Sequence, residues 1–192
     1  LSLDDAVQVV VARSAALVEI AGQGAVAALA LGQDEVQKRI AGLDSVSIAT
    51  VNGPASTVVA GNPDEIVAVI AGCEADGVWA RRIAMDYAAH SVHVERVRER
   101  VLADLAGIRP RAGRVPVYST VTGKPLGGPE MDAEYWYTNF RQRVEFEQAT
   151  RALLDDGFTV FLEASAHPVL TMGVGETAAT IPGAAVSPTP MV

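Results

Sequence analysis

The chain has 192 residues, 49% of them hydrophobic and only 5% aromatic, with a formal net charge of -8. That length holds one sizeable domain or two small ones sharing a core, and the wealth of alanine, valine and glycine suits closely packed α/β layers. The acidic balance argues against nucleic acid or an anionic membrane as partner. No apolar run approaches the ~20 residues of a membrane span, Asp4 and Asp5 stand where the basic n-region of a signal peptide would be, and the acidic surface is compatible with the expected soluble cytoplasmic protein.

Ser2, followed by Asp4 and Asp5, reads as the cap and acidic first turn of a helix that runs to about Ile20. With no methionine at position 1, the chain reads as a piece of something longer. The apolar stripe of this helix is Ala6, Val10, Leu17 and Ile20, and its rhythm places Arg13 on the same face. A guanidinium on a buried face is costly without an anionic partner. Two readings stand open at this point. Arg13 is either structural, paired or snorkelling to the rim, or a bidentate clamp for a substrate carboxylate.

Gly22 and Gly24 break the helix, and a compact alternating unit follows. Strands are predicted over 24–31, 46–51, 56–60 and 78–84, and helices over 34–41 and from Pro63 to Gly77. The order β-α-β-β-α-β over about 60 residues is the ferredoxin-like pattern. Asn52-Gly53-Pro54 reads as the hairpin turn. Cys73, the single cysteine, lies in an apolar helical pattern and reads as core; a lone cysteine also excludes an internal disulfide.

The stretch Met85-Asp86-Tyr87-Ala88-Ala89-His90-Ser91 closes a basic, apolar strand and opens a helix whose apolar positions are Val94, Val97, Val101, Leu102 and Leu105. Ser91 reads as the N-cap. His90 then sits just outside a helix N-terminus, whose positive end favours neutral imidazole, the form that serves as a general base. The other reading of His90 is a surface histidine beside a cap, and His93, one turn on, is its rival. Beyond this helix a strand is predicted over 115–120 and a turn over 122–125. A helix with exposed-looking aromatics starts at Asp132. Further on come a helix over 144–154, a strand over 158–163, one short apolar helix, and an irregular end or edge strand over 181–192. The chain thus divides into residues 1–22, a small unit over 23–85, and 86–192, with Arg13 and His90 flanking the small unit and facing one cleft.

No metal-ligand spacing joins His90, His93 and His167, no glycine-rich phosphate loop occurs, and no Gly-x-Ser-x-Gly elbow surrounds any serine. A histidine base needs a nucleophile, and these residues supply no obvious one.

Tyr87-Ala88-Ala89-His90-Ser91, Val51-Asn52-Gly53-Pro54, Tyr118-Ser119-Thr120-Val121-Thr122-Gly123 and Glu163-Ala164-Ser165-Ala166-His167-Pro168-Val169-Leu170 together resemble the acyltransferase domain of modular type I polyketide synthases over nearly the whole chain. The resemblance implies an α/β fold: a partial α/β-hydrolase-like large subdomain with an inserted ferredoxin-like small subdomain. It implies that the family's nucleophile, the serine of a Gly-His-Ser-x-Gly-Glu elbow, precedes Leu1, so that these residues alone are inactive. By the same resemblance His90 is the catalytic base, and Arg13 binds the free carboxylate of the extender unit. A backbone carbonyl near Val144 to Phe146 orients the imidazole. The implied reaction carries an acyl group from acyl-CoA, through an acyl-serine, to the phosphopantetheine of an acyl carrier protein, with a ketosynthase and linker as neighbouring domains and no bound cofactor. Tyr87, Ala88 and Ala89 occupy the family's specificity positions. Tyr87 and the small Ala89 resemble the methylmalonyl class, because a small third residue leaves room for an α-methyl group; malonyl members carry His-Ala-Phe-His. The competing functions are a noncatalytic ferredoxin-like docking or ligand-binding module and an acyl hydrolase. Neither has a use for an arginine facing a histidine.

Overall fold

The computed structural model of the protein describes residues 1–184 and 186–191; of the predicted end segment, positions 185 and 192 lie outside the described residues. Helix α1 (Leu3–Ile20) starts at the expected cap: Ser2 Oγ accepts from the amide of Asp5, and the Asp5 carboxylate accepts from the amide of Ser2. Its buried face is Val9, Ala12, Ala16 and Ile20. The predicted stripe is therefore one residue out of phase, and Val10 is 64% exposed. An α-helix turns about 100° per residue, so this shift moves Arg13 from the centre of the buried face to its half-buried flank.

The small unit follows as β1 (Ala25–Leu29), α2 (Gln33–Arg39), β2 (Ser47–Gly53), β3 (Ser56–Gly61), α3 (Pro63–Ala75) and β4 (Ala80–Ile83). Its strands are antiparallel in the order β4-β1-β3-β2. Alternation along the strands separates two faces. Ala25, Ala27, Leu29, Ile48 and Val59 pack under α2 and α3, with Cys73 fully buried among them. Val26, Ala49 and Ala60 pack on the other face against Ala88.

The hairpin turn is not where Asn52-Gly53 predicts it. Both residues belong to β2, and the turn is Pro54-Ala55. Gly53 and Asn52 instead meet helix α7 (Thr171–Ala179): a Cβ on Gly53 would lie 3.2 Å from Gly173 Cα, and one on Gly173 would lie 2.2 Å from the Asn52 carbonyl oxygen. The dipeptide serves the close approach of helix to strand.

After β4 the chain crosses β1 and enters a 3-10 turn (Val92–Val97) and α4 (Arg98–Leu105), where a continuous α-helix was expected. Ser91 is the N-cap, accepting from the amide of His93. Val94, Val97, Val101 and Leu105 pack against the buried face of α1 and against α5 (Ala133–Arg141). The aromatics of α5 are less exposed than predicted: Tyr137 and Phe140 are buried in this cluster, and the Trp136 indole donates to the Met131 carbonyl. Between α4 and α5 lies a hairpin of β5 (Val117–Ser119) and β6 (Lys124–Leu126), so Lys124 and Pro125 are strand and not turn. Val144 and Glu145, predicted as helix, form β7 and pair in parallel with β2, and α6 (Phe146–Asp155) starts after them. The remaining strands, β8 (Val160–Ala164) and β9 (Ser187–Met191), pair in parallel. Among the described residues no helix is long and apolar enough to cross a membrane.

Candidate active site

The Tyr87–His90 segment is placed by a bare backbone. The Gly24 amide donates to the Asp86 carbonyl at 3.1 Å, and a Cβ on Gly24 would lie 2.3 Å from the Ala88 nitrogen. Gly24 is thus the point at which the start of β1 and the motif cross, and a side chain there would push them apart. Ala88 is fully buried against the sheet. Its neighbours Tyr87 and Ala89 line a cavity of about 440 Å³ with Arg13, Asn52, His90 and Leu170. Of the three predicted specificity residues, Tyr87 and Ala89 border the cavity and Ala88 does not. The floor is the sheet itself, through Val26, Ala49, Val58 and Ile83.

His90 is held from the end of α5. A helix leaves its last carbonyls without intrahelical partners. Here the Phe140 carbonyl accepts from the His90 amide at 3.1 Å, and the Gln142 carbonyl accepts from the His90 ring Nδ1 at 2.8 Å. A carbonyl only accepts, so Nδ1 carries the proton and Nε2 has its lone pair free. The backbone of His90 is left-handed, with φ of 58°, the single non-glycine residue of positive φ among those described. The orienting carbonyl belongs to Gln142, not to the 144–146 segment, because Val144 and Glu145 are committed to pairing with β2.

The environment keeps this imidazole neutral. Its pKa is lowered from 6.5 to about 4, chiefly by burial and in smaller part by the Arg13 charge, with the Gln142 hydrogen bond opposing both. The expected direction therefore holds, with a different cause: desolvation leads, and the element after His90 is a short 3-10 turn rather than a regular helix end. His93 faces elsewhere, buried in the 3-10 turn with its Nδ1 unpartnered, and borders neither cavity beside His90.

Arg13 reaches the same cavity from α1. Its Nη1 donates to Asn139 Oδ1 at 2.7 Å, and its guanidinium lies 4.9 Å from the centre of the Phe140 ring. Burial lowers its pKa, and no carboxylate among the described residues opposes that. The structural ion pair weighed from the sequence is absent from these residues, and the cation faces the cavity. On the far side of His90 lies a second, more polar cavity of about 620 Å³, bordered by Gln37, Thr138, Arg141, Gln142 and Arg143.

Leu170 is set by the Glu163 carboxylate, which accepts from the amides of Val169, Leu170 and Thr171 and from the Ser165 hydroxyl at 2.8–3.0 Å. These bonds hold the Glu163 pKa below its ordinary value. They fold the Glu163–Leu170 stretch into the entry of α7. Sequence reasoning did not find Gly24, Asn139 or the two carbonyls of 140 and 142. Carbonyls leave no side-chain signal, and a glycine after a helix reads first as a breaker.

The chain matches the Acyl transferase domain family over residues 1–190. It is 49% identical over 178 residues to the polyketide synthase GfsE of Streptomyces halstedii, covering 92% of this chain and 5% of that protein. The acyltransferase domain from module 8 of the salinomycin polyketide synthase superposes on it with a TM-score of 0.97 at 48% identity, over 100% of this chain and 45% of that one. A loading acyltransferase of the avermectin modular polyketide synthase gives 0.94 at 40% identity, over 100% and 61%. The chain thus spans about a twentieth of the first of these relatives and about half of the solved domains. It belongs to the Acyl transferase domain family, as a segment similar to the acyltransferase domains of polyketide synthases.

Proposed function

We propose that the chain forms part of an acyltransferase domain that loads an extender unit, methylmalonyl, from acyl-CoA onto an acyl carrier protein. The observation that carries this reading is one cavity that holds a guanidinium with no carboxylate partner among the described residues, a neutral imidazole and the small Ala89. In this reading Arg13 binds the extender carboxylate, and Ala89 leaves space for the α-methyl group beside Tyr87. His90 Nε2 takes the proton of a serine nucleophile. The 192 residues hold no Gly-x-Ser-x-Gly elbow, so that serine comes from another segment of the domain. Serine oxygen bonds to the thioester carbon, the CoA thiolate leaves and is protonated, and the pantetheine thiol of the carrier then displaces serine.

The neighbours in this reading are the carrier protein, a ketosynthase and its linker, in the cytoplasm. Residues 1–22 and 86–192 belong to an α/β-hydrolase-like subdomain and 23–85 to a ferredoxin-like insertion. The β4-β1-β3-β2 antiparallel order favours this division.

Competition between methylmalonyl-CoA and malonyl-CoA, in the complete domain, tests it. Methylmalonyl transfer is expected to dominate, and Tyr87→His with Ala89→Phe to move the preference toward malonyl. One methyl group in an apolar pocket is worth about 1 to 3 kcal/mol, so a shift of tenfold or more is readable. A wild-type preference for malonyl-CoA overturns the specificity. The 192 residues alone are expected to remain unlabelled by radioactive methylmalonyl-CoA.

A further inference from the structure

We infer that Asn139 is a positioning residue for substrate selection: its carboxamide aims the Arg13 guanidinium into the cavity without neutralising it. The inference rests on Arg13 being the carboxylate clamp.

The geometry is specific. Arg13 and Asn139 are 126 residues apart in sequence, and Nη1 donates to Oδ1 at 2.7 Å. The Phe140 ring, one residue on, lies against the guanidinium at 4.9 Å. Two consecutive residues of α5 therefore fix the fork, one through a hydrogen bond and one through its π face. Both partners are uncharged. A half-buried arginine ordinarily takes a carboxylate, as Arg141 does with Glu95 and Arg151 with Glu147 elsewhere in the chain. Such a pair at Arg13 would consume the bidentate geometry that a substrate carboxylate needs. An amide of the same shape supplies one acceptor and no negative charge, which leaves the remaining N–H groups and the full charge for the ligand.

The same stretch serves the base, because the carbonyls of Phe140 and Gln142 hold His90. The end of α5 thus sets the clamp and the base relative to each other. A substrate held by its carboxylate then presents its thioester at a fixed distance from Nε2.

The test is the ratio of kcat/KM for methylmalonyl-CoA to that for propionyl-CoA, which differ by the carboxylate, measured in the complete domain with Asn139→Asp and Asn139→Ala. Asn139→Asp keeps the shape and adds a charge, and it is expected to lower the ratio by about tenfold to a hundredfold, chiefly through KM for methylmalonyl-CoA. Propionyl-CoA, which has no carboxylate for the clamp, loses less than methylmalonyl-CoA. Asn139→Ala frees the guanidinium and lowers the ratio by a smaller factor; should the aspartate protein not fold, this variant decides by the same ratio. Equal losses for both substrates in either variant, or an unchanged ratio, overturn the role of Asn139 while leaving Arg13 as the clamp. A wild-type protein with no preference for the carboxylated substrate overturns the clamp, and this inference with it.

Discussion

On the proposed role of His90 as the base, its low pKa has a direct kinetic consequence. An imidazole titrating at 6.5 is ~9% neutral at pH 5.5, whereas one at about 4 is ~97% neutral at that pH. Only neutral imidazole accepts the serine proton. In the complete domain, kcat/KM for self-acylation is therefore expected to stay level from pH 7.5 down to pH 5.5 and to fall with a midpoint near 4. The same displacement makes a stability prediction. A histidine whose folded pKa is depressed favours the folded state above its unfolded value and loses that advantage as pH falls from about 6.5 toward 4. The gap is worth up to about 3 kcal/mol at about 1.4 kcal/mol per pH unit. His90→Gln, which cannot titrate, is expected to flatten this part of the stability curve. Stopped-flow acylation across pH, with urea unfolding of the His90→Gln and wild-type proteins at matched pH, measures both effects. An acid limb centred near 6.5 would refute the reasoning, since it would mean that solvent reaches the ring freely.

The remaining predictions concern how the site is built. In the complete domain, Arg13→Ala is expected to cost methylmalonyl-CoA about 2 to 5 kcal/mol of transition-state binding and propionyl-CoA far less, read as the ratio of their kcat/KM values. Gly24→Ala places a Cβ 2.3 Å from the Ala88 nitrogen and is expected to destabilise by about 1 to 3 kcal/mol in urea unfolding, with loss of acylation. For Gly173→Ala, helix propensity alone predicts a gain of about 1 kcal/mol; the 2.2 Å approach to the Asn52 carbonyl predicts a net loss, and the sign of the change in midpoint decides. Glu163→Gln weakens three amide contacts, so faster hydrogen exchange at Val169, Leu170 and Thr171 is expected, with little change in α4.

The parts of the fold that follow from local chemistry were legible in the sequence. Ser2, Asp4 and Asp5 mark the start of α1, and period-two and period-3.6 patterns place the β-α-β-β-α-β unit within a few residues at each end. What failed was set by distant partners. The phase of α1 depends on where Val94, Val97 and Val101 pack, so Val10 and Val9 exchanged places. Asn52-Gly53 obeys turn statistics in isolation, but α7 claims that backbone. Val144-Glu145 has helical neighbours and is drawn into a strand by β2. The site divides in the same way. His90, Arg13, Tyr87 and Ala89 carry side-chain chemistry that a motif displays. Asn139, Gly24 and the two carbonyls matter only through what approaches them across 50 to 126 residues of chain.

The left-handed backbone at His90 separates what holds the fold from what holds the chemistry. A side chain at positive φ costs roughly 1 to 2 kcal/mol, which glycine would avoid. Losing the ring and its hydrogen bond would give back about as much. Folding stability is then nearly indifferent between histidine and glycine at this position. With His90 as the proposed base, selection for a well-folded domain alone would let the histidine drift away, and selection for turnover would retain it. Among relatives that have lost acyl transfer, position 90 is therefore where the loss is expected to register first, while Gly24 and the core around Phe140 persist.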